Sequence, residues 1–249
     1  MYVIKLGGSA ITIKSEPFTP RLEVIKRIPE EIEPALPKLV LVHGAGSFGH
    51  QIASEYKIHE GFKAKPQLIA ASFLKRKMSE LTHLVQDSLL EAGIPVFPFH
   101  PSSFMIFEDG RPIERNIEPL KGFFKVGLIP LIPPDGAFDI KRGFSIVSGD
   151  LSSAIVAQEL SASALIFGMD VDGLILEGEL VEHLTPEEAR EIAKRLEASD
   201  VSGGIRGKLL ISAEVAEAGI PVYLVNLLEP YRLRKLLEGE KVPATIITS

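Results

Sequence analysis

Leu39-Val40-Leu41-Val42-His43-Gly44-Ala45-Gly46-Ser47-Phe48-Gly49-His50 is the stretch that decides the fold. An apolar, branched run stops abruptly at glycines, and a segment with helical character follows (residues 51–57). That order predicts a strand feeding a glycine-rich turn at a helix N-terminus. Glycines let the backbone approach an anion closely, and the free N–H groups and dipole of a helix end favour negative charge. The spacing Gly44-x-Gly46-x-x-Gly49 also satisfies the dinucleotide fingerprint, and an unliganded tight turn would satisfy it equally well. His50 sharpens the reading, because it plants a titratable donor at the mouth of the turn.

Outward from this stretch the chain alternates strand-like and helix-like segments. That pattern predicts an α/β fold, a three-layer α/β/α sandwich around an open, mainly parallel sheet. The first strand is Tyr2–Leu6, ending in Gly7-Gly8-Ser9. A helix is expected from Thr19-Pro20, with Leu22, Ile25 and Ile28 on one face and a break at Pro29. Residues 38–42 form the second strand, and 66–92 read as one long helix with Leu68, Ala71, Phe73, Met78, Leu81, Leu84 and Val85 as its apolar set. Residues 94–97 are a short strand, 104–113 a hairpin turning at Asp109-Gly110, and 128–132 another buried strand followed by a turn at Asp135-Gly136. Residues 144–147 lead into Ser148-Gly149-Asp150 and a helix to Leu160. A strand at 164–167 ends in 168–173. Thr185 opens a capping box before a helix to Leu196, and the glycine turn at 200–204 opens a helix carrying Lys208. Residues 221–225 and 244–248 close the sheet. With no repeat or linker, the expectation is one domain over 1–249 with two lobes, meeting near residue 160.

Composition narrows the chemistry. The chain has 249 residues, no cysteine and a formal net charge of −6. Disulfides, thiolate metal sites and thiol catalysis are therefore excluded, and general nucleic-acid affinity is not expected. No apolar stretch is long enough for a membrane span, and the N-terminus does not read as a signal peptide, so a cytoplasmic protein is expected. Asn116 and Asn226 are the only asparagines, which with abundant Glu, Lys and Pro points to a thermophile.

Ligands of open α/β sheets bind beyond the strand C-termini. Glycine turns recur there, at 7–8, 44–49, 148–149, 168–173 and 203–204, with lysines close to three of them. The set suits a long polyanion held end to end. Lys5 lies among Val3, Ile4 and Leu6 and must either snorkel or meet an anion. Lys14 follows the same turn. Lys208 is expected in the first turn of its helix, where the dipole opposes it unless an anion is bound. Asp150 either caps a helix or holds lysine ammoniums in place. The six histidines lack metal-ligand spacing, Ser47 and Ser148 lack a visible catalytic context, and Lys75-Arg76-Lys77 reads as a solvated helix face. Asp170 and Asp172 fit a turn as well as a metal site.

Taken together, Lys5-Leu-Gly-Gly-Ser9, His43-Gly-Ala-Gly-Ser-Phe-Gly-His50, Ser148-Gly-Asp150, Asp170-Val-Asp-Gly173 and Asp200-Val-Ser-Gly-Gly204 with Lys208 resemble the amino-acid kinase family. Within it they resemble the isopentenyl phosphate kinases of archaeal type; the histidine of the Gly-Ser-Phe-Gly-His segment is the most specific feature. The resemblance implies transfer of the ATP γ-phosphoryl group to isopentenyl phosphate, in isoprenoid-precursor synthesis through the mevalonate pathway. It implies catalytic roles for Lys5, Lys14, His50, Asp150 and Lys208. It implies ATP contacts from Lys5, Gly7, Gly8, Ser9, Asp170, Gly173, Gly203 and Lys208. Acceptor contacts would come from Ala45, Gly46, Gly49, His50, Ser148 and Gly149, and Phe73 is expected to bound the acceptor's tail. Mg²⁺ would be held mainly by the nucleotide phosphates, with no protein metal ligand, and a homodimer is usual for such proteins.

The sequence departs from the pattern at Met169, Ser202, Ile205 and the loop 130–136. A fosfomycin-type phosphonate kinase, or another small-acceptor kinase of the same fold, is the nearest alternative. A non-catalytic nucleotide-binding protein is a further one. A dinucleotide-dependent oxidoreductase would need an acidic strand end about twenty residues after the glycines, where this chain enters a long helix instead.

Overall fold

The computed structural model describes residues 1–198 and 203–249. In chain order the elements are β1 (Tyr2–Leu6), α1 (Gly8–Ile11), α2 (Leu22–Ile32), β2 (Leu39–His43), α3 (His50–Glu55), α4 (Lys65–Glu91), β3 (Val96–Pro98), β4 (Met105–Glu108) and β5 (Arg111–Arg115). There follow α5 (Glu118–Lys125), β6 (Ile129–Ile132), β7 (Asp135–Asp139), β8 (Gly143–Val147), α6 (Gly149–Glu159), β9 (Ala164–Met169), β10 (Ile175–Leu176), β11 (Glu179–Leu180) and β12 (His183–Leu184). The last are α7 (Pro186–Ala198), α8 (Gly203–Glu217), β13 (Val222–Asn226), α9 (Arg232–Leu237) and β14 (Ala244–Ile247). No helix among the described residues is long and apolar enough to cross a membrane.

One eight-stranded sheet, ordered β12-β14-β13-β9-β1-β2-β6-β3, runs through the molecule. It is parallel from β13 to β3, and β14 turns antiparallel to β13. Strand alternation then sorts the core into two layers. Val3, Val40, Val42, Leu165 and Phe167 face one cluster, which α6, α7 and α8 cover with Val156, Ala193 and Leu209. Ile4, Leu6, Leu39, Leu41 and Ile166 face the other, which α2 and α4 cover with Ile25, Leu81 and Val85. This is the expected three-layer sandwich. A second, four-stranded sheet, β5-β4-β7-β8, packs Phe107, Ala137 and Val147 onto the first cluster.

Several local expectations change. The helix α2 passes through Pro29 without a break. Proline cannot donate to the carbonyl of Ile25, and the Ser88 hydroxyl of α4 donates to that carbonyl instead, at 3.0 Å. Thr19-Pro20 is not its cap: Pro20 forms a bridge to Thr12, and the helix opens at Leu22. Asp135-Gly136 begins β7 instead of a turn. Reversal comes four residues later, where the buried Asp139 carboxylate accepts the N–H groups of Lys141 and Arg142 and the Ser145 hydroxyl. On α4, Leu68 and Phe73 are exposed while Ala70, Thr82 and Leu89 are buried. Met78, Leu81 and Val85 are buried as expected, so the apolar face departs from the expectation in the first turns of the helix.

Candidate active site

Backbone hydrogen bonds along the C-terminal edge of the sheet draw three strand ends together. Gly44 N–H donates to Leu6 O and Gly7 N–H to Gly168 O, both at 2.8 Å. A side chain at Gly8 would place its Cβ 2.3 Å from Gly46 N, and Gly46, at φ +50°, would meet Thr12 Oγ1 at 2.0 Å. The two glycine turns therefore touch backbone to backbone, which only residues without Cβ allow. A cleft of about 1200 Å³ opens over this seam, bordered by both turns, α6, α8 and the side of α4 that carries Ala71, Leu74, Lys75 and Met78.

The cations meet at its centre. Lys5 shares the face of β1 with Val3, so it points toward α6 and α8. Its Nζ lies 2.9 Å from Asp150 Oδ1, and Lys208 Nζ donates to Asp150 Oδ2 at 2.9 Å. Lys208 also sits over the Phe167 ring, 4.5 Å from its centroid. Burial pushes the Asp150 carboxyl upward, but Lys5 and Lys208 outweigh it and hold the group at about 2. Burial, with Lys5 adding to it, brings the Lys208 ammonium down to about 8. Asp150 thus organises lysines and is not the helix cap; Ser148 is the cap, its Oγ accepting Leu151 N–H at 3.2 Å. Gly149 allows this closeness, since a Cβ there would lie 2.6 Å from His43 O and 3.4 Å from Lys5 Cε.

At one end of the cleft, Ser9 Oγ donates to Asp170 Oδ1 at 2.8 Å, and Gly173, beyond it, also borders the space. Asp172 turns away, held by Asn226 and Arg232. Gly203 opens α8 and Gly204 borders the cleft, but they follow α7 and not a strand end. Asp200, Val201 and Ser202 lie outside the described residues. Lys208 is the sixth residue of α8 and so sits in its second turn, not its first.

At the other end, Ala45, Gly46, Gly49, His50, Ser148 and Gly149 all border the cleft, and Lys14 stands exposed at its rim. A one-turn 3₁₀ helix at Gly46–Phe48 separates the glycines from α3, and α3 has only six residues. His50 is its first residue. Desolvation by the surrounding protein lowers its pKa, the Lys5 and Lys14 charges lower it further, and Asp150 opposes them. His50 is thus a neutral donor at pH 7.

Phe73 does not join this site. It is 40% exposed and packs edge-on against Phe18, 6.3 Å between centroids, with the Lys77 ammonium 5.7 Å from its own ring. The apolar wall is built instead by Ala53, Ile58, Ala71, Leu74, Phe144 and Ile146. Nor is the 75–77 trio a plain solvated face, because Lys75 pairs with the buried Asp135 at 2.5 Å and both border the cleft. The signal for Lys75 was its spacing of four after Ala71 and three before Met78, one side of a helix. Sequence reading also passed over His43. It is fully buried beneath the loop, with Nδ1 3.0 Å from Gly44 O and Nε2 2.9 Å from Thr82 Oγ1, and burial keeps it neutral with a pKa of about 4.

Among the described residues, no three acidic or imidazole groups converge as a metal-binding set. What the cleft offers is fixed cations and backbone N–H groups between two anion-sized turns, an arrangement that stabilises charge in transit between phosphate groups.

The model of the amino acid kinase family matches residues 1–226. A protein of Methanocaldococcus jannaschii named isopentenyl phosphate kinase is 32% identical over 221 residues, covering 83% of this chain and 84% of that protein. Another of that name, from Methanothermobacter thermautotrophicus, is 32% identical over 264 residues, covering 100% of this chain and 99% of its own. A crystallographic isopentenyl phosphate kinase superposes with a TM-score of 0.85 at 30% identity, covering 100% of both chains.

Proposed function

Because this chain belongs to the amino acid kinase family, we propose that it transfers the γ-phosphoryl group of ATP to isopentenyl phosphate, giving isopentenyl diphosphate and ADP. The observation that carries the reading is the Asp150 carboxylate bridging Lys5 and Lys208 where the two glycine turns meet. The similarity to proteins named isopentenyl phosphate kinase supports the choice of acceptor.

In this reading the nucleotide lies along Gly7, Gly8, Ser9, Asp170, Gly173 and Gly203, with its γ-phosphate at Lys5 and Lys208. The acceptor phosphate sits against Ala45, Gly46, Gly49, Ser148 and Gly149. An oxygen of that phosphate attacks the γ-phosphorus, and the bond to the β–γ bridging oxygen breaks, leaving its electrons on ADP. A phosphate monoester is already anionic near neutral pH, its second pKa being about 6, so no strong base is needed. Lys5, Lys14 and Lys208 offset the charge gathered on the transferring group, and a neutral His50 orients the acceptor. The acceptor's hydrocarbon tail runs along Leu74, Phe144 and Ile146. Mg²⁺ would be held mainly by the nucleotide phosphates and would offset their charge, since Asp150 is engaged by two lysines, Asp172 by Arg232 and Asn226, and Asp170 by Ser9.

Residues up to about 160 carry the acceptor side, together with the phosphate contacts of the nucleotide at Lys5 and residues 7–9, and the rest of the chain carries the remainder of the nucleotide side. A homodimer fits the exposed apolar surface of Phe97 and Val126 at the β3 edge of the sheet. The test of function is ADP release measured against a panel of acceptor phosphates, phosphonates and carboxylates. Isopentenyl phosphate should give the highest kcat/KM; a preference for a phosphonate or carboxylate overturns the reading.

A further inference from the structure

Lys75 is a third lysine tethered by a carboxylate in the cleft, and phosphoryl transfer as described above gives it no task. Its Nζ donates to Asp135 Oδ1 at 2.5 Å and lies 3.1 Å from His100 Nδ1. An ammonium can only donate, so His100 Nδ1 is the acceptor and the ring carries its proton on Nε2. Asp135 is itself immobilised: its side chain is 1% exposed, Oδ2 accepts Ser102 N–H at 2.9 Å, and Oδ1 also accepts Gly136 N–H at 2.9 Å.

An ammonium has three N–H donors. Two are taken by Asp135 and His100, and the third has no partner among the described residues. The Lys75 side chain is 42% exposed and borders the cleft. Its place on α4 fixes which end it serves. Leu74 and Met78 pack against the loop before α3, where a Cβ on Gly49 would meet Met78 Cε at 3.3 Å and Leu74 Cδ1 at 3.4 Å. Lys75 lies between them on the helix, on the side facing β7, and the first residue of β7, Asp135, pairs with Val147 next to Ser148 and Gly149. Lys75 is thus placed on the cleft wall next to the helix residues that touch Gly49, with its carboxylate partner opposite the strand that leads into Ser148 and Gly149.

A structural tie between α4 and β7 would not by itself need this arrangement. Lys75 compensates the charge of the buried Asp135 carboxylate, but that carboxylate also has two backbone donors, and compensation uses only one of the three N–H groups of the ammonium. We propose that Lys75 is an acceptor-recognition residue, giving its third N–H to the phosphate head of the acceptor while Asp135 and His100 hold the ammonium in position. The pair is close to electrically neutral, so what Lys75 contributes is a directed donor more than net charge. The proposal rests on the phosphate-acceptor reading given above.

The test measures isopentenyl phosphate binding by calorimetry without ATP, and acceptor and ATP kinetics, in the parent, Lys75→Met, Lys75→Arg and Asp135→Asn. Losing one hydrogen bond to a charged group should weaken acceptor binding on the order of tenfold in Lys75→Met. Its KM for ATP should stay within about twofold, the size of effect a group outside the nucleotide site leaves. Lys75→Arg should restore most of the loss. Asp135→Asn keeps the donor and should lose less than Lys75→Met. Acceptor affinity near the parent value in Lys75→Met overturns the proposal, as does equal weakening for ATP, or a greater loss in Asp135→Asn, which would make the pair a structural tie. If the parent ignores isopentenyl phosphate and uses a phosphonate, the functional reading fails instead, and the same four proteins titrated with that phosphonate decide the role of Lys75.

Discussion

Asp150 stands between Lys5 and Lys208, with one carboxylate oxygen 2.9 Å from each ammonium. The three side chains are 21%, 9% and 11% exposed, so the carboxylate is the compensating charge for two largely buried cations. Asp150→Asn leaves both uncompensated and should destabilise the protein by about 3 kcal/mol at pH 7. The native pKa of Asp150, about 2, lies below its ordinary 3.8. Its contribution is therefore fully present above the ordinary value and lost as pH falls through about 2. Urea unfolding at pH 7 checks this, and a variant within about 0.5 kcal/mol of the parent, the usual spread for surface changes, would show the three groups to be uncoupled.

The same cluster sets an alkaline limit. Lys208 titrates at about 8 in the free protein, so its charge is lost as pH rises through that value. The profile of kcat/KM, which reports the free enzyme, should fall above pH 8, and Lys208→Arg should move the fall to higher pH. Alanine at Lys5 or Lys208 should lower kcat by about 10²–10³ while leaving ATP binding largely intact. Turnover within twofold of the parent in either variant would remove that lysine from the transfer step.

His50 is a neutral donor above the ordinary histidine pKa, because desolvation and the Lys5 and Lys14 charges disfavour the imidazolium. His50→Gln keeps a donor and should retain measurable turnover, while His50→Ala should lose about 10² or more. Both should bind ATP normally. Acceptor kcat and KM distinguish the outcomes: equal, complete inactivity of the two variants would indicate proton transfer by His50.

Chain-length preference should follow the observed wall and not Phe73. Phe73→Ala removes a ring that packs on Phe18 outside the cleft and should leave the preference among prenyl phosphates unchanged. Leu74→Ala enlarges the wall and should raise kcat/KM for longer tails relative to isopentenyl phosphate. The opposite pair of results would place the tail on the Phe18 side of α4.

Much of this protein was legible before any coordinates. Branched runs ending in glycine, such as 39–44, specify strand and turn through local sterics alone, and alternation along Val3-Ile4-Lys5-Leu6 already aimed Lys5 at one face. Capping chemistry was equally local: Thr185 and Glu188 exchange the hydrogen bonds their spacing predicts. Motif resemblance likewise pointed to the loops that now border one cleft.

Tertiary structure decided what depends on partners distant in sequence. Whether Pro29 breaks a helix turned on Ser88, 63 residues from the carbonyl it satisfies. Asp150 could have been a cap or a lysine holder, and only the approach of Lys208, 58 residues away, made it the latter. Phe73 and Lys75 sit two positions apart on the same helix, and their fates reversed because a helix turns about 100° per residue, 3.6 to the turn. A sequence carries that periodicity but not its phase against the rest of the fold. The phase was set by which side of α4 could bury Met78 and Leu81 on the sheet, and that packing put Phe73 outside and Lys75 over Asp135.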